Sequence, residues 1–253
     1  MKIQYCSDLH LEFSENKRFL EEFPLLPVGD ILILAGDIVP FKNMDLAKDF
    51  LKFCSENFQE TYWIAGNHEY YHGTLEGRTS AFKEKIMENV FLVNNYTLER
   101  EDVRFIFSTL WTKISPEMSF FIKKGLYDYK VIGDGNQFFS VDRCNELFKE
   151  NLNYIKTAVS SDDQKQNIVV THHVPTYHNY PQEYLNSNIS EAFATDLDNF
   201  IESSKIHSWI YGHHHRNVSE FKVGGTNMLT NQLGYVKYGE NRRFRWDALV
   251  EIQ

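Results

Sequence analysis

Short apolar runs that end in polar loops recur along the chain, and each run predicts a strand. Ile3–Cys6 is the first, and Ile31–Ala35 is unbroken, as expected of a strand that is buried on both faces. Further runs of this kind occur at Tyr62–Ala65, Phe91–Val93, Val103–Phe107, Ile168–Val170 and Trp209–Tyr211. The last segment, Arg243–Ile252, alternates apolar and polar positions and predicts an outer strand.

Segments with helical spacing of apolar residues lie between these strands. Asp45–Phe58 and Asp142–Val159 each carry one apolar stripe, and Thr74–Glu88 is also interpreted as a helix. Thr112–Phe139 has no clear periodicity and is interpreted as a long loop or partial cap within one domain spanning 1–253. The alternation of strands and helices predicts a layered α/β domain whose polar loops meet at the carboxyl edge of the sheet.

Composition restricts the class of protein further. The 253 residues are 42% hydrophobic and carry a net charge of −9, so a broad basic surface for nucleic acid is not indicated. The first residues resemble no signal peptide, and no apolar run approaches the ~20 residues of a membrane span. Three widely spaced cysteines form no disulfide or metal motif, which is typical of free thiols in a reducing compartment. We therefore expect a cytoplasmic protein.

Seven of the ten histidines fall in clusters that also hold the candidate aspartates and asparagine, and most clusters directly follow a predicted strand. The clusters are Asp8-Leu9-His10, Gly36-Asp37, Gly66-Asn67-His68-Glu69, His172-His173 and Gly212-His213-His214-His215. Carboxylate, amide and imidazole groups gathered from several strand ends predict a hydrolytic site with two metal ions.

The spacing within each cluster suggests which side chains converge. In an extended segment, residues i and i+2 point the same way, so Asp8 and His10 can face one metal ion. The same geometry lets His213 and His215 converge while His214 points elsewhere. Gly212 would permit the turn that brings both imidazoles inward. His172 and His173 are adjacent, and chemistry alone does not decide which of them is a ligand.

Asp37 and Asn67 are suited to a shared position between the ions. The two oxygens of Asp37 could bridge cations roughly 3.5–4 Å apart, while the amide of Asn67 can coordinate without adding charge. Two divalent cations, two aspartates and a bridging hydroxide leave a charge of about +1, which attracts phosphate. Nitrogen and oxygen ligands suit manganese, iron, zinc, cobalt or nickel, and manganese is the favoured choice.

The expected reaction is in-line attack by the metal-bridging hydroxide on a phosphomonoester or a phosphodiester. Water bound to such ions has its pKa lowered from about 15.7 toward ~7. His68 is the candidate general acid for the leaving oxygen, and it would also contact the substrate together with Asn67.

In this order, the five clusters resemble the motifs of the calcineurin-like metallophosphoesterase superfamily. The resemblance implies a four-layer α/β/β/α sandwich with two mixed β-sheets. It also implies two ligand sets that share one aspartate, with the first histidine of His172-His173 as a ligand. The first set is Asp8, His10, Asp37 and His215, and the second is Asp37, Asn67, His172 and His213.

Two departures from related signatures limit the resemblance. The protein Ser/Thr phosphatases of the superfamily carry Gly-Asp-x-Val-Asp-Arg-Gly, whereas this chain reads Gly36-Asp37-Ile38-Val39-Pro40. The missing aspartate leaves the group that orients His68 unassigned, with Glu69 as a weak candidate. No tyrosine follows Asp37 closely, which argues against the iron site of purple acid phosphatases.

Several residues outside the proposed ligand sets have competing interpretations. His173 and His214 are assigned to packing or to support of the ligands. Tyr71, Tyr177, Tyr180 and Tyr184 could stack on a base or an aryl leaving group, although packing is favoured.

The leading function is hydrolysis of a small phosphate ester, with no membrane partner. The alternatives are a nuclease of the same fold, which the net charge disfavours, and a metal-binding scaffold without activity.

Overall fold

The computed structural model describes residues 1–161 and 164–252. The strands are β1 (Lys2–Cys6), β2 (Ile31–Leu34), β3 (Glu60–Ile64), β4 (Phe82–Met87), β5 (Val90–Asn94), β6 (Tyr96–Arg100), β7 (Val103–Phe107), β8 (Gly133–Asp134), β9 (Gln137–Phe138), β10 (Gln166–Val170), β11 (Ile206–Tyr211), β12 (Phe221–Val223), β13 (Thr226–Thr230) and β14 (Leu249–Glu251). The α-helices are α1 (Ser14–Glu22), α2 (Lys48–Asn57), α3 (Pro116–Gly125), α4 (Asp128–Val131), α5 (Val141–Val159), α6 (Gln182–Leu185) and α7 (Asp198–Ser203). Shorter 3-10 helices occur at Phe41–Ala47, His68–Tyr70, Ser190–Ala192, Val236–Tyr238 and Glu240–Arg243.

Twelve of these strands form two mixed sheets of six. The first has the order β14-β1-β2-β3-β5-β4, in which β1, β2, β3 and β5 are parallel and the two edge strands are antiparallel. The second has the order β12-β13-β11-β10-β7-β6 and the same arrangement, a parallel centre with antiparallel edges. The prediction of two mixed sheets is confirmed.

The two sheets pack face to face, and helices cover both outer faces. Ile31 and Ile33 lie in the apolar layer between the sheets, together with Phe105 and Ile210. Side chains alternate along a strand, so Leu32 points to the opposite face, toward α1 and α2. The outer face of the second sheet packs against α5 and α7. The molecule is therefore a four-layer α/β/β/α sandwich, and burial on both faces explains the unbroken apolar run of β2.

The helix predicted over Thr74–Glu88 is wrong. This segment is a loop followed by β4, an edge strand antiparallel to β5. Exposure alternates along β4, because Lys83 and Lys85 are exposed and the residues on either side of them are less exposed. The period is two residues, as in a strand, and not the 3.6 residues of a helix. Gly77 has a φ of +82°, which also ends any helix across the segment. Lysines on an edge strand are typical, because they oppose pairing with another chain.

Three further segments gain detail from the structure. Residues 112–139, interpreted from the sequence as a loop or partial cap, contain α3, α4 and the two-stranded sheet of β8 and β9. The hairpin around Glu101-Asp102 joins β6 to β7, and β6 has no counterpart among the predicted strands. Only Leu249–Glu251 of the predicted C-terminal strand is extended, and it forms the outer edge beside β1.

The cysteines are free and buried, as expected from their spacing. No helix within the described residues is long and apolar enough to cross a membrane.

Candidate metal centre

The predicted site residues lie in loops at the carboxyl ends of five parallel strands. Asp8 follows β1, Asp37 follows β2 and Asn67 follows β3 in the first sheet, while His172 follows β10 and His213 follows β11 in the second. The two sheets are stacked, so their carboxyl ends meet at one edge of the molecule. This edge is where open α/β sheets bind ligands.

The first group of donor atoms comes from Asp8, His10, Asp37 and His215, whose atoms all lie within 4.8 Å of one another. His10 Nε2 lies 2.9 Å from His215 Nε2 and 3.8 Å from Asp37 Oδ2. His215 Nε2 lies 3.3 Å from Asp8 Oδ1. These residues are the first predicted ligand set.

The second group comes from Asp37, His172 and His213. His172 Nε2 lies 3.0 Å from His213 Nδ1, 3.4 Å from Asp37 Oδ2 and 3.2 Å from Asn67 Oδ1. Asp37 therefore belongs to both groups, in the arrangement expected of a carboxylate that bridges two cations.

The protonation of the histidines fits a cation in each group. His172 Nδ1 contacts the carbonyl oxygen of Ala35 at 2.9 Å, and a carbonyl only accepts, so this nitrogen carries the proton. His215 Nδ1 likewise contacts Glu240 Oε2 at 2.8 Å. The lone pairs of the inner nitrogens then point at one another and at carboxylate or amide oxygens. Such an arrangement is stable with a cation between the lone pairs, because His10, His172 and His215 each place the other ring nitrogen against an acceptor. Nε2 of His213 is buried without a hydrogen-bond partner.

The pKa values of two histidines also indicate that the buried carboxylates favour positive charge at this position. Burial alone would lower the pKa of His172, but the Asp37 carboxylate raises it to about 9. Burial opposes the charge of His215 as well, and the hydrogen bonds to Asp8 and Glu240 raise its pKa to about 10. Without metal, protons supply the positive charge that the buried carboxylates require.

The ligands converge through left-handed backbone, and the expectation of extended segments is wrong. Five of the seven predicted ligands have positive φ: Asp8 (56°), His10 (48°), Asp37 (57°), His213 (81°) and His215 (51°). Each such residue costs about 1–3 kcal/mol, and such strain is concentrated at functional sites. Asp8 and His10 still face the same donor group through the turn of their loop, whereas His215 joins that group and His213 joins the other.

Two glycines are required because other side chains approach them closely. A Cβ at Gly212 would lie 2.6 Å from Asp8 Oδ2, and one at Gly66 would lie 2.6 Å from His172 Cε1. Gly212 is not one of the glycines with a positive φ, so the prediction that it permits a special turn is wrong. A glycine is needed there because Asp8 packs closely against it. Both glycines let the loops pack directly against the ligand side chains.

His172 and His173 are separated by their surroundings. The ring of His172 lies within the second donor group, whereas His173 Nδ1 contacts the carbonyl oxygen of Thr109 at 3.4 Å and its ring packs on Trp111. Burial lowers the pKa of His173 to about 3. Its position matches the packing role expected of it, and His172 occupies the position of a ligand.

Glu12, which was not predicted, connects a ligand to the candidate acid. Glu12 Oε1 lies 3.2 Å from His10 Nδ1 and 3.0 Å from His68 Nδ1. Burial would raise the pKa of Glu12, but these two hydrogen bonds outweigh it and hold the pKa at about 2. Its carboxylate fixes the orientation of both rings and leaves each Nε2 facing the site. The signal was present in the sequence, because Glu12 continues the i, i+2 spacing of Asp8 and His10.

Glu69, the weak candidate for orienting His68, has another role. Its carboxylate accepts the backbone N–H groups of Gly66 (2.6 Å), Asp37 (2.9 Å) and Ile38 (2.7 Å), and the indole N–H of Trp63 (3.1 Å). It therefore ties the loop after β2 to the loop after β3. The carboxylate that contacts the ring of His68 is that of Glu12.

His68 lies among aromatic rings beside the two donor groups. Its Nε2 is 3.2 Å from the hydroxyl of Tyr235, and its ring stacks on Tyr71 with centroids 3.9 Å apart. Burial would lower its pKa, but Asp37 and then Glu12 raise it above the ordinary value. A raised pKa favours the protonated ring, which is the state required of a proton donor.

The segment 112–139 contributes directly to the site through α4. Asp128 Oδ1 accepts hydrogen bonds from Asn67 Nδ2 (3.0 Å) and the Tyr71 hydroxyl (2.6 Å). The first bond turns the amide oxygen of Asn67 toward His172 and the second donor group. No local pattern in the sequence distinguishes Asp128 from a surface aspartate, so sequence reasoning had no signal for it.

Two clefts open beside the donor groups. The metal cleft, about 350 Å³, is lined by four predicted ligands together with Asp128, Tyr180, Ser187 and Phe193, among others. The outer cleft, about 530 Å³, is lined by Glu12, Phe13, Asn43 and His72, among others. Both clefts are also lined by His68, Tyr71, Tyr127 and Tyr235, so the two clefts adjoin at these residues.

Of the predicted tyrosines, Tyr71, Tyr180 and Tyr184 line the metal cleft. Tyr177 instead packs on Tyr180, and its hydroxyl donates to the carbonyl oxygen of Ala194. His214 lines the metal cleft and contacts the amide of Gln232, which agrees with a supporting role.

Comparison with known proteins identifies the family. The model of the calcineurin-like phosphoesterase family matches residues 1–217. The chain belongs to the calcineurin-like phosphoesterases. An uncharacterised protein of Acanthamoeba polyphaga mimivirus is 35% identical over 277 residues, covering 99% of this chain and 96% of the viral protein. An uncharacterised metallophosphoesterase of Campylobacter jejuni is 32% identical over 82 residues, which cover 30% of this phosphoesterase and 21% of the bacterial protein.

A solved structure supports the fold of this phosphoesterase. The phosphopantetheinyl hydrolase of Mycobacterium tuberculosis superposes with a TM-score of 0.73 at 16% identity, covering 100% of this chain and 96% of the other. This likeness extends the family fold beyond residue 217 and includes the loop that carries Tyr235 and Glu240.

Proposed function

We propose that the protein hydrolyses phosphate esters with two divalent cations bound at the candidate metal centre. The observation that carries this proposal is the convergence of two donor groups that share Asp37. Asp8, His10 and His215 would hold one cation with Asp37. Asn67, His172 and His213 would hold the other, and Asn67 would also face the substrate.

Bound there, the cations would polarise the phosphate and lower the pKa of an attacking water molecule. Manganese suits these nitrogen and oxygen donors, and iron, zinc, cobalt or nickel are the alternatives.

His68 is proposed as the catalytic general acid. Its Nδ1–H donates to Glu12, which leaves the proton on Nε2 directed toward the clefts. Transfer of this proton to the departing oxygen avoids release of an alkoxide, a contribution typically worth 10²- to 10⁴-fold in rate. Glu12 acts as a positioning residue, because it acts on the reaction through the rings of His68 and His10.

The clefts favour a small substrate over a nucleic acid. Lys42 is the one lysine or arginine among the described residues that line the two clefts. Proteins that bind nucleic acid neutralise many phosphates with lysine and arginine, and this lining cannot do so. The aromatic walls instead suit an ester with an apolar or aromatic group.

The experiment measures hydrolysis of 4-nitrophenyl phosphate and bis(4-nitrophenyl) phosphate by the full chain loaded with Mn²⁺. We expect activity that is abolished by a chelator and restored by Mn²⁺. Asp37→Asn should bind less metal and lose activity at least 10³-fold, whereas Asp45→Asn, at an exposed position, should behave as the wild type. Hydrolysis of neither ester by metal-loaded wild type, or full activity of folded Asp37→Asn, would refute the proposal and favour the non-catalytic scaffold.

A further inference from the structure

The two clefts limit the kind of phosphate ester that the site accepts. They adjoin at His68, Tyr71, Tyr127 and Tyr235, which line both, so a phosphate bound at the metal centre beside His68 would lie next to both clefts. Volumes of about 350 and 530 Å³ each fall within the range of ligand pockets. A phosphomonoester carries one organic group and would leave one cleft without an occupant.

The charges of the lining also favour an ester with one organic group on each side. A monoester carries about −1.5 to −2 at neutral pH, whereas a diester carries −1. Among described residues, no lysine or arginine lines the metal cleft, but Asp128 and Glu240 do, while Glu12 and Lys42 line the outer cleft. Arg216 is engaged by Glu183 and the Tyr184 hydroxyl and does not line either cleft.

The number of terminal oxygens leads to the same conclusion. A monoester presents three terminal oxygens and a diester two, and arginine is the usual clamp for a transferring phosphoryl group. The metal cleft supplies no such clamp, and the hydroxyl of Tyr235 is the neutral donor beside His68. Cations held by the two donor groups, together with this hydroxyl, would supply partners for the two terminal oxygens of a diester.

We infer that the substrate is a phosphodiester whose two organic groups occupy the metal cleft and the outer cleft. This inference rests on the proposed function. Hydrolysis forms one P–O bond to the oxygen of water and breaks one ester P–O bond. His68 gives its proton to the departing oxygen, and the proton lost by water returns to His68 or to solvent. The products are a phosphomonoester and an alcohol or phenol.

The first test compares two esters on the Mn²⁺-loaded wild-type protein. The kcat/KM for bis(4-nitrophenyl) phosphate should exceed that for 4-nitrophenyl phosphate at least 10-fold. Equal or greater kcat/KM for the monoester would overturn the diester assignment while leaving the proposed hydrolytic function intact. Activity on neither ester would instead overturn the proposed function.

The second test fills each cleft separately. Asn43→Trp narrows the outer cleft and Ser187→Trp narrows the metal cleft, and neither residue belongs to a donor group. Asn153→Trp, exposed on α5, is the matched control. Each cleft variant should lower kcat/KM for the diester at least 10-fold, whereas only one of them should impair the monoester, which fills a single cleft.

Metal content and melting temperature of each variant establish that it is folded and loaded. Loss of diester activity in only one of the two folded cleft variants would overturn the two-cleft arrangement, as would wild-type activity in both. If one variant fails to fold, the comparison of the two esters on the wild type still decides between a diester and a monoester.

Discussion

At the scale of single residues, the donor atoms depend on neighbours that fix their direction. His10, His172 and His215 each present one nitrogen to the site because the other contacts Glu12, Ala35 or Glu240. These partners determine which nitrogen carries the proton, and hence which one can bind a cation. The consequences are testable at Glu12 and at Gly66.

Glu12→Gln should lower kcat about 10- to 100-fold and weaken metal binding. The amide keeps the shape but replaces a charged acceptor of two N–H groups with a neutral one, and loss of such a partner typically has effects of this size. The measurement is kcat with a titration of bound Mn²⁺. Glu15→Gln, an exposed change nearby on α1, is the control, and an unchanged kcat in Glu12→Gln would show that Glu12 does not position His68.

Gly66→Ala should remove metal binding while the protein stays folded. The added methyl group would collide with Asp37 Oδ1 and the ring of His172, both of which belong to the second donor group. Bound Mn²⁺ is measured by elemental analysis, and folding by circular dichroism. Gly225→Ala is the control, because a Cβ there meets nothing within 4 Å. Full metal occupancy in Gly66→Ala would contradict the close packing of these loops.

At the scale of elements, the interiors of helices and strands stabilise the framework that holds the loops. Helix α5 covers the second sheet with one apolar face that includes Leu147 and Ile155, both fully buried. Its N-terminus is capped by Ser140, whose hydroxyl accepts the backbone N–H of Arg143 at 3.1 Å. Periodicity alone predicted this helix, because its apolar residues lie on one face and pack against the second sheet.

Leu147→Ala should lower the free energy of unfolding by about 2–5 kcal/mol, since it removes buried methyl groups and leaves a cavity. Urea titration followed by circular dichroism provides the measurement. Glu150→Ala, on the exposed side of α5, should change the free energy by less than about 0.5 kcal/mol. Equal effects of the two substitutions would contradict the packing of α5 on the sheet.

At the scale of the whole molecule, the metal centre joins the two sheets. Asp8, Asp37 and Asn67 extend from the first sheet and His172 and His213 from the second. Cations bound between them would link the sheets at this edge, in addition to the apolar layer that packs their faces. We propose that residues 1–253 form one domain, because this apolar layer is shared by both sheets.

Binding of Mn²⁺ should therefore raise the melting temperature of the whole molecule in one cooperative transition. A ligand at 100 times its dissociation constant stabilises the native state by about 2.7 kcal/mol. Calorimetry with and without Mn²⁺, and after chelation, tests this expectation. Two separate transitions, only one of which responds to metal, would contradict a single domain whose centre is shared by both sheets.

The sequence by itself determined the elements whose pattern is local and the order of the motifs. Strand β2, helix α5 and the five clusters could be predicted, since burial leaves a period in the chain and metal ligands are a small set of residue types. The prediction of a helix at 74–88 was wrong, because the edge strand β4 carries alternating charges and, over a short window, resembles an amphipathic helix.

Only the tertiary structure decided the parts that depend on contacts between distant segments. Asp128 reaches the site from the start of α4 and Tyr235 from the segment after β13, and Glu12 acquires its role through His68, 56 residues away. The left-handed backbone of the ligands and the two clefts also arise from packing. A local pattern records which face of an element is buried, whereas the shape of a site depends on how those faces are brought together.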